Sequence, residues 1–229
     1  MLQAEDYFQW QSTTLAALFV GLNFVWEALA QIEPWLEEEL KRLSPNERSQ
    51  GIIQPGAFVN DSVILGPYSV VETGAYVKGP AYIGSFSHIR HGAYLREGAI
   101  IGEHCVVGHA SEVKNSILLD KSAAPHFNYV GDSILGRHCN LGAGVKLSNL
   151  KHTKAEVIVK AHGLDYPTGL IKLGAILGDD VALGCNTVCN PGTLVGPGTL
   201  VYPNASLRGI YPANSIIKVV GNTEVHPRS

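Results

Sequence analysis

The chain has 229 residues, which is enough for one large domain or for one domain with an appendage. Its 17 lysines and arginines against 20 aspartates and glutamates give a net charge of -3, so charge offers no case for binding nucleic acid or an anionic membrane. The 25 glycines and 12 prolines, in a chain that is 45% hydrophobic, predict many short strands separated by tight turns.

Residues 1–50 are predicted to form a helical segment. Apolar residues from Leu15 to Leu36 recur at helical spacing, and the polar residues among them favour an amphipathic helix over a membrane span. Ser12 is a candidate N-cap for this helix, and Pro34 is expected to open a second, charged helix from Trp35 to Leu43.

A period of six residues governs the chain from Ile53 onward. An aliphatic residue occupies every sixth position in the series Ile53, Val59, Leu65, Val71, Val77, Ile83, Ile89, Leu95, Ile101, Val107, Val113 and Leu119. This period fits a short strand and a corner repeated three times per coil, so that each coil takes 18 residues. The strands of a β-sandwich do not hold one period for so long. We therefore predict an all-β fold, a parallel β-helix of hexapeptide repeats over residues 51–220.

The repeat is interrupted twice. After Leu119 its phase slips around Pro125 before the period resumes. Residues 149–172 contain glycine and proline but no repeat, and they are predicted to form a loop excursion. The N-terminal helices are expected to cover the open end of the first coil near Ile53, or to pack against a neighbouring molecule. Residues 221–229 are assigned to a tail.

The four cysteines contain no Cys-x-x-Cys pair that would indicate a metal or redox motif. Cys105 and Cys139 fall at small inward positions of the repeat, where we expect reduced thiols in the core. The chain does not open on a basic stretch followed by an apolar one, which predicts a cytoplasmic protein.

Three cations are expected to stack on one face of the coil. Lys78, Arg96 and Lys114 are 18 residues apart and each follows an inward aliphatic residue, so they point outward from neighbouring strands. Like charges in this arrangement repel each other unless an anion lies across them. A phosphate group bound by Arg96 and Lys114 is one explanation. The alternative is a solvated basic strip whose charges are balanced by Glu97 or Glu112.

Histidines raise a metal site and a general base as hypotheses. His104 and His109 are five residues apart and His91 lies one coil from His109, as in β-helices that hold zinc between subunits. Lys114 stands where such a site would need another ligand, so no metal is predicted. His126 lies where the repeat breaks and is a candidate general base, although on the residues alone a corner histidine that caps a bulge is the simpler interpretation.

Several motifs together resemble a known enzyme family. They are Arg96, Glu-Val-Lys-Asn-Ser at 112–116, His-Phe-Asn-Tyr-Val-Gly-Asp at 126–132, Asn-Leu-Gly-Ala-Gly at 140–144, and Asn149. In this pattern the chain resembles the acetyltransferase half of the bifunctional N-acetylglucosamine-1-phosphate uridyltransferase / glucosamine-1-phosphate acetyltransferase family. The resemblance implies that the β-helix is left-handed and that it forms a homotrimer with its sites between subunits.

The resemblance also implies roles for individual residues. The sugar phosphate would be bound by Arg96, Lys114, Tyr129, Asn140, Asn149 and Lys172. Acetyl-CoA would lie near Ala143, Cys185 and Tyr202. His126 would be the general base that takes a proton from the attacking amine, and this chemistry needs no metal.

The chain also departs from this family. No Gly-rich nucleotide loop occurs before Gln50, so we expect no nucleotidyltransferase half. Leu150-Lys151-His152 stands where an aromatic residue and an aspartate are usual, and we expect the family's basic C-terminal tail to be largely absent. We predict an acetyl-CoA-dependent acyltransferase that N-acetylates an amino-sugar phosphate, as in nucleotide-sugar and cell-envelope precursor biosynthesis. The alternatives are an acyltransferase acting on a nucleotide sugar, a non-catalytic binding or regulatory subunit, and a metal-dependent carbonic anhydrase.

Overall fold

The computed structural model describes residues 2–219, so the tail predicted over 221–229 lies outside the described residues. A three-sided coil of short parallel strands forms most of the described range. Face one consists of Ile52–Ile53, Val70–Val71, His88–Ile89, Val106–His109, Ala123–His126, Asn140–Leu141, Ala182–Leu183, Leu200–Val201 and Ile216–Ile217. Face two consists of Phe58–Val59, Tyr76–Val77, Tyr94–Leu95, Glu112–Lys114, Tyr129–Gly131, Lys146–Leu147, Val188–Cys189 and Ser206–Leu207. Face three consists of Val63–Leu65, Ala81–Ile83, Ala99–Ile101, Ser116–Leu118, Ile134–Leu135, Ala175–Leu177, Thr193–Val195 and Ile210–Tyr211.

Each strand pairs in parallel with the strand one coil away. Val77 pairs with Leu95 on face two, and both side chains are fully buried in the interior of the coil. The strands are short because the chain must turn after every two to four strand residues, and the aliphatic residue of each strand fills the interior. The predicted fold class, a left-handed parallel β-helix of hexapeptide repeats with an N-terminal helical segment, is confirmed.

The prediction of where the repeat slips was wrong. Leu118 pairs with Ile101 at a distance of 17 residues and faces the interior, whereas Leu119 joins an outer cluster. The phase therefore slips between Val113 and Leu118, ahead of Pro125.

Two successive corners between faces two and three are each one residue shorter than the three corners before them. Asn115 in the first corner and Asp132 in the second adopt the left-handed backbone conformation, with φ of 45° in both. Short polar side chains tolerate this conformation, and it lets the chain turn with one residue fewer. The two short corners lie one coil apart, because Val113 pairs with Val130.

The predicted N-terminal helix over 15–36 was also wrong. Short 3-10 helices occupy Ala4–Asp6, Trp10–Ser12, Ala16–Phe19 and Val25–Glu27, and α-helices follow at Ala28–Arg42 and Pro45–Arg48. Ser12 caps no helix, and Pro34 lies inside the helix Ala28–Arg42 instead of opening a second one. Gly21, with φ of 75°, lies in the turn that separates the first three short helices from the rest. Apolar spacing does not distinguish one long helix from a chain of short turns over the same surface.

The N-terminal segment covers face three and not the open end of the coil, which corrects the expected cover. Its buried Leu15, Trp26 and Ile32 pack in one cluster with outward aliphatic side chains of face three, including Ile100 and Ile117. Ile52 and Ile53 of the first coil remain exposed. The physical reason is that face three is apolar on both sides, so it needs a cover along its whole length.

An antiparallel hairpin projects from the coil between the strands Lys146–Leu147 and Ala175–Leu177. Its strands are Ile158–Ala161 and Leu164–Pro167, and a bridge between Leu150 and Lys172 closes its base. Val159 adds to the cluster over face three, and the ring of Tyr166 meets that of Phe24 at 5.8 Å. Within residues 2–219, no helix has the length and apolar character needed to cross a membrane.

Candidate active site

The predicted stack of cations lies at the edge of face two, and each cation has a carboxylate partner from the next coil. The pairs are Lys78–Glu97, Arg96–Glu112 and Lys114–Asp132. The Arg96–Glu112 pair measures 3.0 Å and its side chains are about one-third exposed. Because every cation is already paired, the stacking alone does not demand a bound phosphate. The assignment of Arg96 and Lys114 to a phosphate therefore stays a prediction.

Asp132 is the centre of a buried polar cluster at the two short corners. Its carboxylate accepts hydrogen bonds from Lys114 Nζ at 3.0 and 3.2 Å, from Asn115 Nδ2 at 2.9 Å, and from Asn149 Nδ2. Asp132 is only 4% exposed, so these donors replace the water that its charge has lost. Sequence reasoning assigned no role to Asp132 or Asn115. No sequence signal marks them, because either Leu118 or Leu119 satisfies the repeat and the pattern does not locate the short corner.

Tyr129 lies across Gly131 and reaches this cluster. Burial raises the pKa of the Tyr129 hydroxyl above its ordinary value, with the charges of Glu112 and Asp132 adding to the effect, while a hydrogen bond to Asn149 opposes it. A Cβ on Gly131 would come within 2.7 Å of Tyr129 Oη and 2.8 Å of Asn149 Nδ2. The absence of a side chain at position 131 is therefore what lets Tyr129 and Asn149 meet.

Lys172 opens onto the same cluster from the base of the hairpin. A cleft of about 570 Å³ is lined by Asn115 and Asp132 on one wall, by Glu33 of the helix Ala28–Arg42 on another, and by Lys172 on the third. The N-terminal segment thus forms part of the surroundings of a predicted binding residue.

The predicted base and the predicted cofactor residues follow one another along the corner between faces one and two. His126 is exposed, and its carbonyl accepts a hydrogen bond from Gly144 N at 3.0 Å. The Ala143 carbonyl accepts a hydrogen bond from Asn186 N at 2.9 Å, so the exposed Cys185 lies one coil beyond Ala143.

Two further observations complete this corner. The Ala143 N–H donates no hydrogen bond within residues 2–219, which leaves it available to a ligand. Tyr202, half exposed, follows on the coil after Cys185, because Leu183 pairs with Val201.

Asn128 braces this corner and was missed by sequence reasoning. It is 2% exposed, its Oδ1 accepts a hydrogen bond from His126 N at 3.0 Å, and its Nδ2 donates to the Gly142 carbonyl at 2.8 Å. Asn128 therefore ties the coil that carries His126 to the coil that carries Ala143. A polar residue in a turn gives no warning of such a link, because turns favour asparagine for local reasons.

Replacing Asn128 with alanine should lower the free energy of unfolding by about 1–3 kcal/mol, because buried groups such as the Gly142 carbonyl lose their partner. Urea unfolding followed by circular dichroism measures the change. Asn140→Ala is a matched control, since the Asn140 side chain is exposed and makes no hydrogen bond within residues 2–219. We expect the control to stay within about 0.5 kcal/mol of the wild type. Equal unfolding midpoints for both variants would refute the bracing role.

The predicted site residues thus fall into two groups on opposite edges of face two in one chain. Lys114, Tyr129 and Asn149 meet around Asp132, with Lys172 across the cleft and Arg96 one coil away. His126, Ala143, Cys185 and Tyr202 line the other edge, and Asn140 lies on neighbouring face one. The two groups do not touch each other within the described part of one chain.

His91 and His109, two of the histidines considered for a metal site, are engaged with the backbone. His91 Nδ1 lies 2.7 Å from the Thr73 carbonyl and His109 Nδ1 lies 3.1 Å from the His91 carbonyl, and the two rings stack at 5.6 Å. A carbonyl only accepts hydrogen bonds, so Nδ1 carries the proton in both rings. No group of three histidine, cysteine, aspartate or glutamate residues in the range 2–219 is arranged to hold a metal ion.

The fold and these two polar groups define a hexapeptide-repeat β-helix protein. The profile of the family described as GMPPB C-terminal domain matches residues 77–197, which is more than half of the sequence, and the chain belongs to this family.

Comparison with curated proteins also confirms the resemblance seen in the motifs. The chain is 37% identical over 94 residues to a bifunctional sugar-1-phosphate nucleotidylyltransferase/acetyltransferase of Sulfurisphaera tokodaii, a match that covers 41% of this chain and 23% of the relative. It is 42% identical over 82 residues to a bifunctional protein GlmU of Methanococcus maripaludis, covering 36% of this chain and 20% of the relative. The chain therefore spans about a fifth of the length of these relatives.

Among solved structures, the UDP-N-acetylglucosamine acyltransferase from Campylobacter jejuni aligns with a TM-score of 0.45 and 19% sequence identity. This alignment covers 71% of the present chain and 67% of the other.

Proposed function

We propose that the protein is an acyltransferase that moves an acetyl group from acetyl-CoA to the amine of an amino-sugar phosphate such as glucosamine-1-phosphate. The observation that carries the proposal is the corner on which His126, the free Ala143 N–H and the exposed Cys185 occupy consecutive coils. A general base and an amide donor are the two groups that acyl transfer from a thioester requires. The acetyltransferase names of the curated relatives support the same reaction.

His126 is assigned the proton transfers of this reaction. Its neutral imidazole accepts a proton from the amine as the nitrogen attacks the thioester carbonyl and the C–N bond forms. The Ala143 N–H donates a hydrogen bond to the oxyanion of the tetrahedral intermediate. When the C–S bond breaks, the imidazolium returns the proton to the leaving sulfur. An amine and a thioester thus become an amide and a thiol, with His126 unchanged.

The polar cluster around Asp132 is assigned to the sugar phosphate. Arg96 and Lys114 would share their donors between their carboxylate partners and the phosphate, because arginine and lysine both have more N–H groups than one partner uses. Tyr129, Asn149 and the more distant Asn140 and Lys172 would position the sugar. Since His126 lies at the opposite edge of face two, we propose that a homotrimer completes each site by setting this face against a neighbouring copy.

The release of coenzyme A tests the reaction directly. We expect thiol release from acetyl-CoA in the presence of glucosamine-1-phosphate, and much less with unphosphorylated glucosamine. A uridine diphosphate amino sugar as acceptor distinguishes the nucleotide-sugar alternative. The absence of thiol release with every amino sugar would overturn the proposal.

Cysteine labelling gives a second test of the cofactor position. Of the four thiols, only that of Cys185 is exposed. Burial raises the pKa of the Cys105 and Cys189 thiols to about 12, and it also raises the pKa of the Cys139 thiol. Iodoacetamide at pH 8 should therefore modify one thiol per folded chain and four after denaturation, because only a thiolate reacts. Acetyl-CoA should slow the labelling of Cys185.

Mass spectrometry of the intact chain counts the modified thiols, and Cys185→Ser is the control that should abolish labelling of the folded protein. Labelling of Cys185 at the same rate with and without saturating acetyl-CoA would speak against the cofactor position assigned here.

A further inference from the structure

A second cleft opens farther along the corner between faces two and three. It measures about 390 Å³, begins at Ser148 beside the Asp132 cluster, and is lined by Lys151 and His152 from the start of the hairpin excursion and by Arg208 from a later coil. Among the described residues, no carboxylate lines it. A neighbouring cleft of about 380 Å³ shares Lys151 and Arg208, and the carboxylate that lines it, Asp165, is paired with Lys160 at 3.1 Å. We call the first of these the Arg208 cleft.

Arg208 continues the column of cations described above, but it lacks a partner. The register places Arg208 in line with Lys114. Lys114 follows Val113 and Arg208 follows Leu207 along the chain. One inward residue of each coil stacks on the next in the order Val113, Val130, Leu147, Cys189 and Leu207. The earlier cations of the column are each paired with a carboxylate. The Arg208 side chain makes no ion pair and no hydrogen bond within residues 2–219.

In the part of the chain that the structure describes, Lys151 also has no carboxylate partner. Its Nζ donates to the backbone carbonyl of Glu156, while the Glu156 side chain accepts a hydrogen bond from Gly169 N at 2.6 Å instead. Within residues 2–219, neither Arg208 nor Lys151 therefore pairs with a carboxylate, and Ser148 and Thr153 add hydroxyl donors to the cleft. Uncompensated cations in a concave site attract anions, and a guanidinium fork matches the oxygens of a phosphate.

We propose that the Arg208 cleft binds a phosphate group of a small-molecule ligand, with Arg208 and Lys151 as its main contacts. Two sources have this chemistry: the phosphates of the coenzyme A donor, and the diphosphate of a nucleotide-linked acceptor. The cleft starts next to Asn149, so a ligand in the Asp132 cluster has only one strand spacing, about 4.8 Å, to cross before reaching it. The inference rests on the proposed function only for the choice of these probes.

Equilibrium binding to the full-length protein tests this cleft without any turnover. The probes are coenzyme A, 3′-dephospho-coenzyme A, a uridine diphosphate sugar and inorganic pyrophosphate, each titrated by calorimetry into wild type, Arg208→Gln, Lys151→Gln and Lys121→Gln. Lys121 is an exposed cation on another corner and controls for the loss of one positive charge. We expect Arg208→Gln to weaken at least one probe about tenfold, which is the effect of losing a charge-assisted hydrogen bond. Lys121→Gln should bind like the wild type.

The pattern of losses identifies the source of the phosphate. Weaker binding of coenzyme A but not of 3′-dephospho-coenzyme A assigns the cleft to the 3′-phosphate of the donor, and weaker binding of the uridine diphosphate sugar assigns it to the acceptor. If Arg208→Gln and Lys151→Gln bind all four probes as the wild type does, the proposal is wrong. The two proposals can fail independently. If the wild type shows no acetyl transfer but Arg208→Gln still weakens binding of a probe, the phosphate cleft is supported and the proposed function is rejected.

Discussion

Replacing His126 with alanine is expected to lower the rate of acetyl transfer by about 10²–10⁴-fold, the usual contribution of a general base. His126 lies one coil before Ala143 at the same corner, because the Gly144 N–H donates a hydrogen bond to the His126 carbonyl. A water molecule that replaces the imidazole is a far weaker base, so kcat should fall while the KM for acetyl-CoA changes little. Steady-state release of coenzyme A measures both constants.

His138→Ala is the matched control for this experiment. His138 is also an exposed corner histidine, but it lies at a different corner and faces Asp180, with Nδ1 3.1 Å from the carboxylate. We expect this variant to keep the wild-type rate, and circular dichroism should show that both variants are folded. Wild-type turnover in His126→Ala would remove His126 from the mechanism and leave the fold assignment untouched.

The β-helix could be predicted from sequence because its period is strict, but the slip in that period could not be located. Ile117, Leu118 and Leu119 are three consecutive aliphatic residues, and either Leu118 or Leu119 satisfies the pattern. In the structure Leu118 faces the interior and Leu119 packs outside it, because the corner at Asn115 is one residue short. A periodic pattern records which side chains are apolar and not which way the backbone turns between them.

The strands of face three carry a sequence signal for the position of the N-terminal segment. The strands Val63–Leu65 and Ala99–Ile101 are apolar at every position, which is typical of a strand buried on both sides. The middle residue of such a strand, Ile100 for example, points away from the coil interior and needs a covering element. The sequence predicts a helical segment, but its division into short helices depends on how it packs against face three.

The candidate site was only partly predictable for a similar reason. Motif resemblance pointed to His126 and Lys114, whereas Asp132 and Asn128 were indistinguishable from ordinary turn-forming residues. Their importance comes from hydrogen bonds to residues of neighbouring coils, such as Asp132 to Lys114 and Asn128 to Gly142. Such pairs become visible only once the register of the coils is known.

Replacing Asp132 with alanine is expected to lower the free energy of unfolding by about 3 kcal/mol, which is the usual cost of leaving one partner of a buried ion pair without the other. Lys114 would keep its charge with its side chain 19% exposed, and the amides of Asn115 and Asn149 would lose their acceptor. Glu97→Ala is the matched control, because it removes a carboxylate from the same column where Lys78 and Glu97 are about half exposed. An exposed pair of this kind contributes less than about 1 kcal/mol.

A double-mutant cycle with Lys114→Met shows whether the unpaired charge causes the loss. If it does, Asp132→Ala combined with Lys114→Met should be more stable in urea than Asp132→Ala alone, because the charge without a partner has been removed. Equal stability of Asp132→Ala and the wild type would mean that water replaces the carboxylate at little cost. Asp132 would then be free to release Lys114 to a phosphate ligand, and its effect should appear instead in the KM for the sugar phosphate.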